Sequence, residues 1–457
     1  MARDRVVPGV QVEVIKEIVP QQLYPSGVVG MIGTADSGPI GKQVTVTSFQ
    51  ELKQTFLRES AGSLIKDGKA AFQNGVFQVV AIRVAGTADK ASSVALTGGR
   101  KNRDVVRLTS KNPLDEPIEI KVMKGATENT VRIELLKGKE REEYENLDMN
   151  PANTLYLVGV LNQSSKWLTA ESIPTEPNPD FNPAPQETRM EGAALLPPSI
   201  ESYEKALEAL ELETAIDVVC VCENSDPKVH ALVDAHCKNM SLGTEPRPLG
   251  PRIGVGTVGR NESVEDIVKR TETLASDRFV LVAPYGVAGL VAGLLSKLNY
   301  FESPTFKALT GIADIERRYT PSEQMKLLEN GVLPIDAVRG RGIIVVKGIT
   351  TIKEQISVMR IADHTMRGVK SISELFIGNL NNERNRSALR ERLTEFMIGM
   401  EKEGAIVPSV DNTKPSFLVD VYSSQSDFAK GIVRIDSAVR PVRAMDYIYA
   451  TINVQAF

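Results

Sequence analysis

Long hydrophobic runs are missing from this chain. No apolar stretch reaches the roughly 18 residues that cross a bilayer, and Met1-Ala2-Arg3-Asp4-Arg5 lacks the apolar core of a secretory signal. No membrane insertion is expected. Aromatic residues make up only 5% of the sequence, with Trp167 as the single tryptophan. Cysteine is scarce: Cys220, Cys222 and Cys237 give no disulfide framework, so a reducing compartment is expected. Histidine is scarcer as a chemical resource than its count suggests. None of His230, His236 and His364 lies near a G-x-S-x-G or similar nucleophile signature. A Walker A phosphate loop is missing as well. The net charge of −4 argues against bulk binding of nucleic acid, though a local basic face is compatible with it. What is present is ordinary for a globular protein: 42% hydrophobic and 25% charged residues. The 457 residues suffice for roughly two to four domains.

The pattern along the chain is α/β with an interruption. Val28 to Gly33 reads as a buried strand that runs into the turn-rich segment Thr34-Ala35-Asp36-Ser37-Gly38-Pro39. Residues 48–57 suit a short helix, with Ser48 and Glu51 at capping-box spacing, and Gln78 to Val84 reads as the next strand. From about Gly98 strands follow one another without helices: 105–109, 118–122 and 131–135. A proline-rich stretch from Pro174 to Pro185 reads as a loop or linker. Helix and strand then alternate again, with strands at 215–222, 252–258, 279–283 and 342–346. Two strong helices near 353–377 and 385–403 follow, then strand patterns at 417–422, 431–436 and 447–457. The expected architecture is therefore α/β (α+β) and multi-domain. Residues 1–22 form an N-terminal arm, 23–98 plus 196–348 an α/β core, 99–195 an inserted antiparallel β-rich domain, and 349–457 a C-terminal domain ending in a strand-like arm.

Both ends of the chain have strand periodicity. Val10, Val12 and Val14 alternate with Gln11 and Glu13; Ile448, Ala450, Ile452 and Val454 alternate with Tyr447, Tyr449, Thr451, Asn453 and Gln455. Such strands pair either within their own subunit or with the sheet of a neighbour, because a terminal strand carries open donors and acceptors.

Three groupings invite a chemical reading. Gly254-Val255-Gly256-Thr257-Val258-Gly259 matches G-x-G-x-x-G, which binds a dinucleotide only in a tight strand-to-helix turn with an acid closing the next strand; Phe279 to Ala283 ends without one. The competing function is thus a cytosolic α/β nucleotide- or dinucleotide-binding enzyme that uses the Gly254–Gly259 loop. Cys220 and Cys222 sit two apart on a strand, with His236 and Cys237 on the following helix. Zinc could be drawn from that set, but small buried packing residues are the plainer role. Finally, Lys353, Arg360 and Arg367 recur every seven residues, and Lys370 lies beside Arg367. That spacing drifts by only about 20° per heptad, so the cations form one stripe, either a solvated face or a contact for an acidic partner.

Several segments together resemble the sheath proteins of contractile phage tails and phage-tail-like particles. Val28 to Pro39 is similar to that family's opening strand and its G-x-x-x-x-G-P loop. Glu142-Glu143-Tyr144-Glu145-Asn146-Leu147-Asp148, followed by Asn162-Gln163-Ser164-Ser165, resembles its E-x-F/Y-x-N-L-S block, with Asp148 in place of the commoner serine. Gly342 to Thr351 resembles the strand and G-x-R-T turn before the C-terminal region, with Ile349 where arginine is usual. Glu403-Gly404-Ala405-Ile406 and the closing strands fit too. The order and spacing of these segments cover nearly the whole chain.

The resemblance implies a structural protein with no catalytic residue and no cofactor. Its partners would be further copies of itself in a helical polymer, an inner tail tube protein, and baseplate and tail terminator proteins. It would be assembled in a bacterial host cytoplasm and reside in a virion tail or similar particle. The resemblance also implies that terminal arms add strands to a neighbour's sheet, here through Val10, Val12, Val14, Ile448, Ala450, Ile452 and Val454. The inner tube would be met by Arg360, Arg367 and Lys370, and the 99–195 insert would face outward.

Overall fold

A computed structural model describes residues 27–57, 61–86, 92–98, 103–111, 117–138, 140–174, 179–191, 197–243, 248–447 and 449. The expected N-terminal arm, 1–22, lies outside them. The chain divides into two compact units, one holding Gly27–Asp363 and the residues from Pro441 onward, the other His364–Arg440.

The first unit opens with β1 (Val28–Gly33), β2 (Gln43–Val46), α1 (Phe49–Phe56), α2 (Ser63–Gln73) and β3 (Gln78–Arg83). Ser48 caps α1 by accepting from the Glu51 amide, as the capping-box spacing predicts. The insert follows: β4 (Ser93–Gly98), β5 (Arg103–Ser110), β6 (Ile118–Lys124), β7 (Val131–Lys137), β8 (Glu140–Leu147), α3 (Leu157–Ser164), β9 (Leu168–Ser172) and β10 (Gln186–Met190). Helices then return, in the order α4 (Ile200–Leu210), β11 (Ile216–Val221), α5 (Pro227–Leu242), β12 (Ile253–Thr257), α6 (Val264–Glu272), β13 (Phe279–Ala283) and α7 (Ala288–Lys297). The unit continues through α8 (Pro321–Glu329), β14 (Val332–Val338), β15 (Gly342–Val345) and the first part of α9 (Ile356–Glu374).

Eight strands form one sheet in the order β15-β14-β13-β12-β11-β1-β3-β2. The six inner strands are parallel; β15 and β2 run antiparallel at the edges. Parallel sheets are buried on both faces, and the strands read accordingly: every residue of β1, β12 and β13 is buried. One face packs on α1, α2 and α7 through Leu52, Phe56, Ile65, Leu290 and Val291. The other packs on α4, α5, α6 and α8 through Leu207, Val233, Ile267 and Leu327. Burying each such side chain stabilises the fold by about 1.5–3 kcal/mol. Helix α7 reaches α2 only because it carries two small residues one turn apart. A Cβ on Gly289 would sit 2.6 Å from the Asp67 carbonyl oxygen, and one on Gly293 2.4 Å from that of Ala71.

The insert has its own core. Its two antiparallel sheets, β10-β6-β7-β8 and β4-β5-β9, bury one face each. Ile118, Ile120 and Val122 alternate with exposed or half-buried neighbours, and the register sets Ile120 opposite Leu135. Outward residues pair by charge, as in Arg132 with Glu145 at 3.0 Å and Arg141 with Glu134 at 2.9 Å. Residues 179–185 of the stretch expected to be a loop or linker form a loop anchored to the insert. Gly98 pairs with Pro183, Asn182 accepts from the Met149 amide at 2.8 Å, and β10 follows directly.

The second unit holds the rest of α9, α10 (Glu383–Lys402), β16 (Phe417–Tyr422), α11 (Gln425–Phe428) and β17 (Arg434–Val439). Helices α9 and α10 touch where a Cβ on Gly368 would meet the Phe396 ring at 2.1 Å. Ile372, Leu389 and Leu393 cover Val421 of the β16–β17 hairpin. The last strand lies three residues later than its expected position at 431–436.

The α2–α7 contact has no slack. Gly293→Ala should destabilise the protein by ~1–3 kcal/mol, read as a lower unfolding midpoint; an unchanged midpoint would contradict this packing.

Candidate assembly interface

The groupings that suggest chemistry turn out to pack the core. Gly254 and Gly256 lie inside β12, before any turn. A Cβ on Gly254 would meet Val233 at 2.7 Å, and one on Gly256 would meet both His230 Nε2 and Phe279 at 2.7 Å. These glycines make room for a helix and a neighbouring strand. At Gly259 the amide donates to the Glu262 carboxylate, which Arg270 also binds at 2.7 Å. A carboxylate already occupies the place that a nucleotide phosphate would need. The enzyme reading is therefore corrected: the motif is a packing feature.

The cysteines divide between two faces. Cys220 and Cys222 point from β11 toward α2, while Cys237 belongs to the opposite layer. His236 lies beside the buried Arg252, 3.3 Å from its Nη1, and His364 lies in the second unit against Phe396. Asp67, Cys220 and Cys222 do come together, with ligand atoms within 4.8 Å of one another, all buried. For Asp67 and Cys222 the surroundings favour the protonated form. Burial, then a hydrogen bond with Cys220, pushes the Cys222 thiol well up. Burial raises Asp67 to about 7, against the pull of the Glu223 amide that donates to it at 2.8 Å. The trio acts as apolar packing with a capped carboxyl group.

The expected basic stripe also has another role. Lys353 is not on the helix: it occupies a left-handed turn with φ 69°, and α9 begins three residues later. Arg360 is buried, and its guanidinium donates to the carbonyls of Leu298 and Asn299, both at 3.0 Å. It thereby closes the C-terminus of α7, where orphan carbonyls need partners. Burial lowers its pKa to about 10, opposed by the nearby Asp363. Asp363 in turn is ion-paired with Arg278. Arg367 is buried too, and Lys370 lies 3.7 Å from Glu374 with its side chain about a quarter exposed. The heptad spacing is real, but two of the three cations expected at the tube point into protein.

The residues expected to exchange strands, Val10, Val12, Val14, Ile448, Ala450, Ile452 and Val454, lie outside the described residues. The residues just before the C-terminal four are among the described ones. The segment from Pro441 lies against the turn that introduces α9. Lys353 closes that turn by donating its amide to Thr350, and Ile349 pairs with Gln355 across it. The turn presents Glu354, Gln355 and, one strand earlier, Lys347. Gln355 is buried and uses both ends of its amide: Oε1 accepts from the Ala444 amide at 2.9 Å, and Nε2 donates to the Ala444 carbonyl at 3.1 Å and to Asp446 at 2.8 Å. Arg443 pairs with Glu354 at 2.9 Å, and Lys347 with Asp446 at 3.4 Å. Lys347 also donates to the Tyr447 hydroxyl at 3.1 Å and sits 4.9 Å from its ring centre. Burial works to lower the Lys347 pKa, but the Tyr447 hydrogen bond and the charge of Asp446 outweigh it, so the net shift is upward.

A second feature is an open sheet edge. The β16–β17 hairpin is a two-stranded sheet, and among the described residues no third strand pairs with either edge. Its outer face carries Leu418 and Tyr422, 62% and 38% exposed. Asp420 stands opposite Asp436, a like-charge pair that weakens an isolated hairpin. Neither feature could be found from periodicity: Gln355 is a single polar residue, and an open edge shows only in the fold.

Comparison with known proteins gives a consistent answer. Residues 198–351 match the family model for the phage tail sheath protein central domain, and residues 350–455 that for the phage tail sheath C-terminal domain. The tail sheath protein of Staphylococcus phage Twort is 31% identical over 156 residues, which cover 31% of this chain and 25% of that protein. The chain thus matches only a quarter of that relative's length. Among solved structures, the sheath tail protein Lin1278 from Listeria innocua is similar with a TM-score of 0.61 at 15% identity, covering 92% of each chain. The helical sheath of the anti-feeding prophage in its contracted state is similar with a TM-score of 0.57 at 12% identity, covering 98% of this chain and 99% of that one. At such identities these two likenesses concern the fold.

The Asp67 environment has a measurable consequence. Its carboxyl group binds a proton more tightly folded than unfolded, so stability should fall as pH rises from about 4 to about 7, by up to ~1.4 kcal/mol per pH unit, and then level off. Asp67→Asn should flatten that part of the pH profile; thermal melts of the two proteins that stay parallel across the range would contradict it.

Proposed function

Because this chain belongs to the phage tail sheath family, a family of structural proteins, we propose that it is the subunit of a helical sheath. The sheath surrounds an inner tail tube and contracts to drive that tube through a target cell envelope. Subunits are joined by strand exchange: the alternating segments around Val10–Val14 and Ile448–Val454 leave one subunit and extend a sheet of the next. The observation that carries this reading is the β16–β17 hairpin, a sheet of two strands with two open edges. One face of the hairpin packs on α9 and α10, so what it lacks is edge partners, and augmentation from both sides would supply the missing main-chain hydrogen bonds. A head-to-tail contact of this kind does not close on itself and so builds a helix of subunits.

Contraction would keep these strands paired while the bodies rotate and move outward, with the linked arms as hinges. The extended state would be held kinetically and released at a baseplate. Contact with the tube stays with α9 in altered form: it falls to the partly exposed Lys370, while Arg360 anchors the helix to the end of α7 from within. The 99–195 insert, whose core β4 also joins, faces outward, and its removal is tolerated better than loss of the arms. The partners are further copies of this chain, the tube, the baseplate and a tail terminator, in a virion tail or phage-tail-like particle assembled in the bacterial cytoplasm.

Deleting residues 448–457 or 1–15 should abolish tube formation in electron micrographs and leave a soluble, folded protein. Normal tubes from either truncated protein would contradict the strand-exchange mechanism.

A further inference from the structure

The contacts around Gln355 pose a question that strand exchange alone leaves open. A subunit that lends a strand must also control where that strand starts. We infer that Lys347, Glu354 and Gln355 form a clamp that fixes the departure point of the C-terminal strand, with Gln355 as its positioning residue. The inference rests on the strand-exchange reading.

Three properties support the clamp. The first is its pairing pattern. Gln355 satisfies both backbone groups of Ala444, as a neighbouring β-strand residue would, but does so from a side chain. The grip is on the main chain, so it is independent of the alanine side chain and resists sliding by one residue, which would reverse donor and acceptor. The second is placement. Ionic contacts flank the amide on both sides: Arg443 with Glu354 before it, and Asp446 with Lys347 after it. The last contact, Lys347 with Tyr447, falls on the residue immediately before Ile448, where the apolar alternation begins. The third is rigidity at the base. Gln355 is buried and precedes the first residue of α9. The amide of Ile356 bonds to Gly348 and that of Met359 to Gln355, so the clamp cannot swing without unwinding the helix start.

The physical consequence concerns reach. With the clamp closed, the strand that begins at 448 has no slack behind it. With it open, residues 441–447 join the free length and add up to ~23 Å of extended chain. Effective concentration at a neighbour's sheet falls roughly as the −3/2 power of tether length, so an open clamp weakens each inter-subunit link by about two-fold or more and lets subunit spacing vary. The clamp thus gives the connection a defined length.

The test uses the full chain with three variants. Gln355→Ala removes the amide, Ala444→Pro removes the N–H it accepts from while leaving the body untouched, and a third variant lacks residues 448–457. Hydrogen exchange at residues 443–447 reports clamp opening in the unpolymerised protein; the critical concentration for tubes and the spread of helical pitch report its use. Both point variants should exchange faster in that segment, polymerise with a critical concentration raised about two-fold or more, and give tubes of more variable pitch. If Gln355→Ala does not fold, Ala444→Pro decides alone. Wild-type critical concentration and pitch in a variant whose segment exchanges freely would overturn the clamp. When the 448–457 deletion still abolishes tubes, that result leaves strand exchange standing. When the deletion also forms normal tubes, strand exchange and the clamp fall together.

Discussion

Six parallel strands covered on both faces are the constraint from which the rest of this protein follows. Such a sheet must be dry above and below, so every residue near it is selected for fit. That demand absorbs the features that elsewhere would signal chemistry. Gly254 and Gly256 admit His230 and Phe279; Gly289 and Gly293 let α7 settle on α2; Cys220 and Cys222 fill the gap beside Asp67. Arg252, fully buried, donates to the Leu210 and Glu213 carbonyls at the end of α4, as Arg360 does at the end of α7. Cations at helix C-termini are favourable there, and their burial leaves them to hold the layers together.

With the interior committed to packing, the open features of the fold lie at its edges and ends. The sheet ends in antiparallel edge strands, the insert keeps its own core, and the second unit offers a hairpin with open edges. The last described stretch of chain is gripped by a side-chain amide at the base of α9. The hairpin edges and the grip on Ala444 both concern backbone groups that are unpaired or paired by a side chain. A protein that works by joining copies of itself needs those more than it needs a pocket.

Much of this was readable from sequence, and the failures have physical causes. The alternation of helix and strand, the antiparallel insert and the Ser48 N-cap follow from local sequence signals, which the fold respects; Glu51 closes back on the Thr47 amide, so the capping box itself is only half formed. Helix α7 was missed because it is apolar all round and shows no amphipathic stripe; a fully buried helix has none. The start of α9 was placed three residues early because the left-handed turn at Lys353 is set by its contact with Thr350 and leaves no mark in the helical pattern. The cation stripe shows how spacing and exposure differ. Arg360 and Arg367 do share a face, but the sequence does not say that protein covers it. Gln355 was unreadable because a lone glutamine means nothing until the chain returns, 89 residues later, to meet it.

The central claim is that neighbouring copies complete the β16–β17 sheet. A helical reconstruction of the assembled tubes by electron microscopy tests it most directly. It should show strands from the terminal segments of other subunits hydrogen-bonded to the edges of β16 and β17. Terminal segments that fold back onto their own subunit, with both hairpin edges left open in the tube, would contradict it.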